Sequence, residues 1–378
     1  MAEAVRILVP GAGGPGTLNL CRSLKRAPEP LVLIGTDCDR YFSTLSLTDE
    51  VRLVPPAREE TAYIAAIKKI VKEESIDLIM PNNSLEIRAL ATHRFSLGAE
   101  LFAPTLRTLD LANSKWASYK VWAERGIPVP KTELLEHPAQ VEPLFRSFGK
   151  VPIWVRGAGI PGKGIGVASL PCRTHEQALQ WINFWKGWGG MIASEFLPGA
   201  NLTWIGIFKN GQRITGQCRQ RDRYIIPHVS PSGITGAPAL SHTVHRDDVD
   251  EIAMQAALSL DSSLDGVVFV DLKEDAQGQP RVTEMNAGRF GTTHFFYTAA
   301  GLNLPWIAAC LALGKNYGPV DERHPLPANL YWIRTLDAGP VLIKESDLNE
   351  GRFDRGLRFG LHGEQVDTPP NLVNSQGD

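Results

Sequence analysis

Over the first eighty positions, apolar residues cluster in short runs, Val5 to Val9, Leu31 to Gly35 and Ile76 to Met80, interrupted only by Arg6 and Asp77. Between them lie stretches in which apolar residues recur every three or four positions, near Thr17 to Lys25 and Ala62 to Glu74. Apolar runs of this length read as buried strands, and the longer period is that of a helix. Strands alternating with helices predict a parallel sheet with helices on its faces, an open α/β unit. Further on, the pattern predicts a helix from Asn113-Ser114-Lys115 to about Glu124, stopped by Gly126 and Pro128. Strands follow at Val151 to Val155, Val167 to Leu170 and Met191 to Glu195. Two more, Gly266 to Lys273 and Pro280 to Asn286, are joined by a turn at Gly278. Trp181, Phe184, Trp185 and Trp188 lie at helical spacing on one face and are expected to pack in a core. Asn329 to Thr335 and Pro340 to Ile343 read as closing strands, and residues 364–378 as a polar, disordered tail.

That turn places chemistry. Asp271 and Glu284 come to lie on adjacent antiparallel strands, and Glu284 and Asn286, two apart, point to the same face. Two carboxylates and an amide oxygen are hard donors suited to Mg²⁺ that also holds phosphate oxygens. Arg289, just beyond, is placed to grip a phosphoryl group or a carboxylate. The alternative is a solvated hairpin face, which the apolar stretch 266–270 disfavours.

Glycine changes the picture at two places. Gly11, Gly13 and Gly16 follow the first strand and Asp37 ends the second, the spacing of a dinucleotide site. An NAD enzyme is therefore a rival reading, and a tight strand-to-helix turn is the plain one. Between Arg156 and the next strand, five glycines in residues 157–166, with Gly162 and Lys163 among them, make a hairpin whose N–H groups can approach an anion. A phosphate-covering flap and a plain flexible hairpin both fit that composition. Glu86, after Pro81-Asn82-Asn83-Ser84, stands at a strand end where it can meet substrate or simply follow a helix cap. Arg219, Arg221 and Arg223 alternate, as on one strand face; with His228 they can bind an anionic substrate or form a solvated face.

Composition narrows the class. The 378 residues carry a net charge of −2, which argues against a nucleic-acid binder. The five cysteines are scattered without a CxxC pair and read as reduced packing residues, and no apolar run reaches the roughly 18 residues of a membrane helix. We expect a cytoplasmic protein with neither nucleic-acid nor membrane partners.

In their order along the chain these pieces resemble the ATP-grasp superfamily. The resemblance spans about residues 5–315 and is to the ATP-grasp modules of carbamoyl phosphate synthetase large subunits and to single-module carboxylate–amine ligases. It implies a Rossmann-like pre-ATP-grasp domain at 1–113, a lid subdomain at 114–190, a subdomain carrying the Mg/ATP site at 191–318, and C-terminal strands at 319–378. It implies phosphate contacts from Lys115, Arg156, Gly162 and Lys163, and an adenine hinge at Glu195, Phe196 and Leu197. A nucleotide-side loop falls at Gly233 and Ile234, where Thr235 stands in place of the His common in the synthetases. Asp271, Glu284 and Asn286 match the metal ligands, holding two Mg²⁺ with Mn²⁺ as a substitute. Arg289, Arg156 and Lys163 match the catalytic cations; Arg219, Arg221, Arg223 and Glu86 stand toward the substrate. The sequence departs from the family at the ribose acid, where Asn201 and Leu202 stand, and at Ala287-Gly288, which replaces a single proline before Arg289. The activity implied is ATP-dependent joining of a small carboxylate and an amine through an acyl phosphate, with ADP released; the oligomeric state stays open, a homodimer being the assembly common among such proteins. A kinase that stops at the acyl or carbamoyl phosphate, and a non-catalytic nucleotide-binding module, remain alternatives.

Overall fold

Three sheets organise the computed structural model, which describes residues 4–149, 152–163, 168–336, 340–352, 355–360 and 365–366. The first is parallel and five-stranded, built from β1 (Val5–Pro10), β2 (Leu31–Asp37), β3 (Glu50–Leu53), β4 (Leu78–Ile79) and β5 (Glu100–Leu101) in the order β3-β2-β1-β4-β5. β1, β2 and β4 sit where the apolar runs placed them, while β3, exposed along its length, and the two-residue β5 carry no such run. The helices Pro15–Leu24 and Glu60–Glu73 also match the periodicity, each to within about two residues. Asn83, and not Ser84, caps the helix Ser84–Thr92, accepting from the backbone N–H groups of Leu85 and Glu86.

The second sheet is small and antiparallel, in the order β6-β9-β7-β8: β6 (Thr132–Leu135), β7 (Ile153–Gly157), β8 (Ser169–Cys172) and β9 (Met191–Glu195). The glycine hairpin joins β7 to β8; its Gly164 to Val167 lie outside the described residues, as does Val151. Against this sheet lies the helix His175–Phe184, and here the aromatic expectation holds in part: Trp181 and Trp188 pack, partly buried, against the core of this unit. The helix buries Ala178 and Ile182, while Phe184 is 75 % exposed and Trp185 38 %. The helix ends at Phe184, so the later tryptophans leave its face.

The third sheet has nine strands. Its body is β10 (Asn201–Lys209), β11 (Gln212–Tyr224), β12 (Pro238–Val244), β13 (Gly266–Glu274) and β14 (Pro280–Ala287), in the order β14-β13-β10-β11-β12. The order continues through β15 (Leu330–Ile333), β16 (Val341–Lys344), β17 (Leu357–Phe359) and β18 (Gln365–Val366). The last of these occupies two residues of the stretch read as a disordered tail; 367–378 lie outside the described residues.

Strand alternation splits the large sheet into two faces. One packs Leu202, Trp204, Val270, Leu272, Val282 and Met285 against the helix Asp247–Leu260. Trp204 is fully buried, its ring filling the space left by Gly206 and Gly216. The end of this sheet joins the first sheet in one core, in which Ile7, Val9 and Leu20 pack with Ile205, Val267, Phe295 and Phe296. Four of the five cysteines are buried; Cys38 is exposed, and all are unpaired.

Candidate active site

The other face of the large sheet is polar, and the strand register lays it out in rows. Glu284 pairs with Asp271, Asp271 with Thr203, Thr203 with Arg219, and Arg219 with Thr243. On one side runs the row Lys273, Asn201, Arg221; on the other, Asn286, Phe269, Ile205. Cross-strand neighbours project to the same side, so Asp271, Glu284 and Asn286 meet as the turn predicted. All three line one cleft with Arg219, Arg221 and Arg289.

Each of the three oxygen-bearing groups has a cationic neighbour. The Lys115 Nζ lies 3.1 Å from the Glu284 Oε2, and an Arg156 Nη lies 3.6 Å from the same oxygen. Lys115 opens the helix Lys115–Glu124, so its ammonium reaches the site from an element outside the sheet. Arg156 arrives from β7 and also donates to the Thr283 carbonyl at 2.6 Å. That carbonyl is available because the register slips between Asp271 and Leu272, leaving Thr283 as a bulge. Asp271 accepts from the Thr203 hydroxyl at 2.8 Å and lies 3.4 Å from the Arg221 guanidinium. Arg289 donates to the Asn286 side-chain oxygen. Gly288, at φ +74°, turns the chain so that Arg289 folds back, and a Cβ at Gly288 would stand 2.2 Å from Ile87.

Burial pushes the Glu284 carboxyl up, but Lys115 and Arg156 outweigh it and hold the group at about 2. Asp271 is raised instead, first by burial, with the Arg221 charge opposing and the Glu284 charge reinforcing the rise. Glu284 is thus the firmly ionised member of the pair. Two carboxylates and an amide oxygen, with no sulfur or imidazole among them, suit a hard divalent cation.

Beside the acids the cleft narrows between the two antiparallel sheets. Its walls are Trp154, Glu195, Phe196, Leu197, Asn201 and Ile234. Leu197 is buried; Phe196 is half-exposed, its ring 6.4 Å from that of Trp154. Glu195 holds β9 to the strand entry, accepting from the Lys131 N–H at 2.8 Å. This apolar slot with backbone edges is shaped for a flat heteroaromatic ring. Asn201 lines it beside Lys273, while Leu202 faces the core.

Not every expected residue gathers here. Arg223 is exposed: the register slips between Arg221 and Arg223, which sends Arg223 to the opposite face from Arg219 and Arg221. Lys163 is exposed, its side chain lying over Gly189 and Gly190. Gly162 beside it has φ +78°, as has Gly233, at +71°, before Ile234. Glu86 is buried in the first sheet's glycine turn, where the Asn83 amide donates to it at 2.8 Å. Burial and then the Asp37 charge push its carboxyl up to about 8. The turn itself is closed by the chain. Asp37 accepts from the Gly13 N–H at 2.9 Å, and a Cβ on Gly13 would fall 2.0 Å from the Phe42 carbonyl oxygen. These glycines serve close packing, the plainer of the two readings.

Sequence reasoning passed over Thr203, Tyr297 and His294. The alternation of Leu202, Thr203, Trp204 was the available signal for β10 and its polar face. His294 and Tyr297 sit in a helical turn after Arg289 with nothing in their spacing to mark them, yet both line the cleft. Burial lowers His294 to about 3, so it is a neutral imidazole.

Residues 7–100 match the family model "PylC-like, N-terminal domain". The chain is 23 % identical over 300 residues to the phosphoribosylamine–glycine ligase of Synechocystis sp., covering 76 % of this chain and 68 % of that one. Among solved structures it resembles an L-amino acid ligase from Bacillus licheniformis, with TM-score 0.66, 14 % identity and coverage of 98 % and 91 % of the two chains. It also resembles carboxyaminoimidazole ribonucleotide synthase from Aspergillus clavatus complexed with ATP, with TM-score 0.64, 15 % identity and coverage of 90 % and 83 %.

Proposed function

We propose that this chain, a member of the ATP-grasp ligases, converts a small carboxylate into an acyl phosphate at the expense of ATP and passes the acyl group to an amine. The observation that carries the reading is the cross-strand pair Asp271–Glu284 with Asn286 on the same face, met by Lys115, Arg156 and Arg289 beside an apolar slot. The adenine of ATP enters that slot between Trp154 and Leu197, against the β9 edge that Glu195 ends. Asn201 and Lys273 flank the ribose. The triphosphate then runs along the sheet toward the acids, where Lys115 and Arg156 turn from Glu284 to phosphate oxygens. Asp271, Glu284 and Asn286 would hold divalent cations, two Mg²⁺ in this reading, which when bound neutralise the phosphate charge.

A carboxylate oxygen of the acid substrate attacks the γ-phosphorus, and the bond from that phosphorus to the β-bridging oxygen breaks, releasing ADP. The amine nitrogen then attacks the acyl carbon, the carbon–oxygen bond to phosphate breaks, and the nitrogen loses a proton. Arg289 orients the carboxylate and steadies the charge that develops on the transferring group. Little covalent chemistry falls to the protein; its side chains position and neutralise. The glycine hairpin with Gly162 and Lys163 closes over the phosphates and keeps water from the acyl phosphate. A homodimeric assembly belongs to the same reading and is checked by light scattering.

The test is ADP release from ATP and Mg²⁺ over a panel of carboxylic acids and amines, singly and in pairs, with mass detection of products. Release that needs both partners supports ligation. Release with the acid alone makes the protein a kinase, and nucleotide binding without turnover makes it a non-catalytic module.

A further inference from the structure

The row that carries the acids continues two strands further to Arg219, which has no acidic partner among the described residues. Arg219 is 8 % exposed, and its Nε and one Nη are buried without a hydrogen-bond partner. Its guanidinium carbon lies 5.8 Å from the centre of the Tyr297 ring. The Tyr297 hydroxyl is likewise buried and unpartnered, at a residue 2 % exposed. Both residues line the cleft. Behind them, Arg334 donates to the carbonyls of Pro238 and Thr292, at 2.9 and 3.4 Å, and both of those residues also line the cleft. Burial, followed by the charges of Arg219 and Arg22, lowers Arg334 to about 10.

Buried donors left unpaired destabilise a protein, and native folds keep few of them. Here several share one recess, with like charges close together and Asp271 two strands away. A hydroxyl and a guanidinium fork are complementary to a carboxylate, whose two oxygens accept several hydrogen bonds. Adjacent strands are about 4.8 Å apart, so the recess lies roughly 10 Å along the sheet from Asp271. That is the span of an amino-acid-sized molecule whose other end reaches the phosphates.

We propose that Arg219, with Tyr297 beside it and the positive charge of Arg334 behind them, forms a subsite for a carboxylate that does not react. One of the two organic substrates would then carry a carboxylate besides any that is activated. This rests on the ligase reading and deepens it. The carboxylate belongs either to the amine substrate, which is then an amino acid, or to the acid substrate, which is then a dicarboxylate.

The experiment pairs thermal melts with ADP-release kinetics for wild type and R219Q, using L-alanine against L-alaninamide, and glutarate against butyrate. The expected result is that a probe with the additional free carboxylate raises the wild-type melting temperature and its neutral or monoacid counterpart does not. A rise with alanine only assigns the subsite to the amine substrate; a rise with glutarate only assigns it to the acid. R219Q should melt no lower than wild type without probe and lose the rise. With any pair that turns over, R219Q should raise the KM of the carboxylate-bearing partner on the order of 10- to 100-fold, with the KM for ATP unchanged. R219Q melting well below wild type would make Arg219 structural. An R219Q profile equal to wild type, or no carboxylate-dependent rise in wild type, overturns the subsite. A carboxylate-dependent rise without ADP release from any pair would retain the subsite and remove the ligase reading.

Discussion

Asp271 and Glu284 are direct partners across an antiparallel strand pair, yet their environments set them apart: cations from two other elements converge on Glu284, while Asp271 is held within its own sheet by Thr203 and Arg221. Removing charge at Glu284 should therefore damage chemistry more than folding. Glu284→Gln is expected to reduce ADP release at least about 100-fold, as disturbing metal ligation does. Stability should fall by only about 1–2 kcal/mol, because the amide still accepts a hydrogen bond from Lys115. Steady-state turnover and urea unfolding of the same preparation check both halves.

Lys115 offers the complementary case. Its pair with Glu284 is partly solvated, and such pairs add about 0–1 kcal/mol. Lys115→Met should leave the unfolding midpoint nearly unchanged while weakening ATP binding by roughly 10-fold or more, the loss of one charge-assisted contact to phosphate. Calorimetric titration with a non-hydrolysable ATP analogue reads this directly.

The Glu86 carboxyl gives a pH signature unrelated to turnover. Its folded value of about 8 lies above the ordinary 4.5, so between those limits the folded chain holds a proton that the unfolded chain has lost. Stability must fall as pH rises through that window. Glu86→Gln removes the term. Relative to wild type the variant should gain stability progressively from about pH 4.5 to pH 8, by about 5 kcal/mol in all, and gain nothing more above that. Chemical denaturation at pH 5, 6.5 and 8 would settle the sign.

Gly206 and Gly216 leave room for the Trp204 ring. A Cβ on Gly206 would stand 2.1 Å from the ring with no positive φ to complicate the comparison. Gly206→Ala should destabilise by about 1–3 kcal/mol through overpacking, and near-ultraviolet circular dichroism should report a displaced indole.

Much of this was legible in the sequence, for identifiable reasons. The parallel sheet showed itself because buried strands are continuous apolar runs. Asp271, Glu284 and Asn286 showed themselves because a period of two fixes which side chains share a face once a single turn, at Gly278, is recognised. What stayed hidden depended on irregularities that periodicity cannot carry. A slipped residue turns Arg223 away from Arg219 and Arg221, and another exposes the Thr283 carbonyl to Arg156. The aromatic set held only in part because the helix ends at Phe184: Trp181 and Trp188 meet the core beside Ala178 and Ile182, while Phe184 and Trp185 are left outside.

The hydrogen bond from Arg156 to Thr283 crosses from the small sheet to the large one. It works as a mooring line: any swing of the small sheet against the large one must stretch it, break it or turn about it. A phosphate drawing Arg156 away, as the proposed site requires, would cast off one tie between the two sheets in the same act.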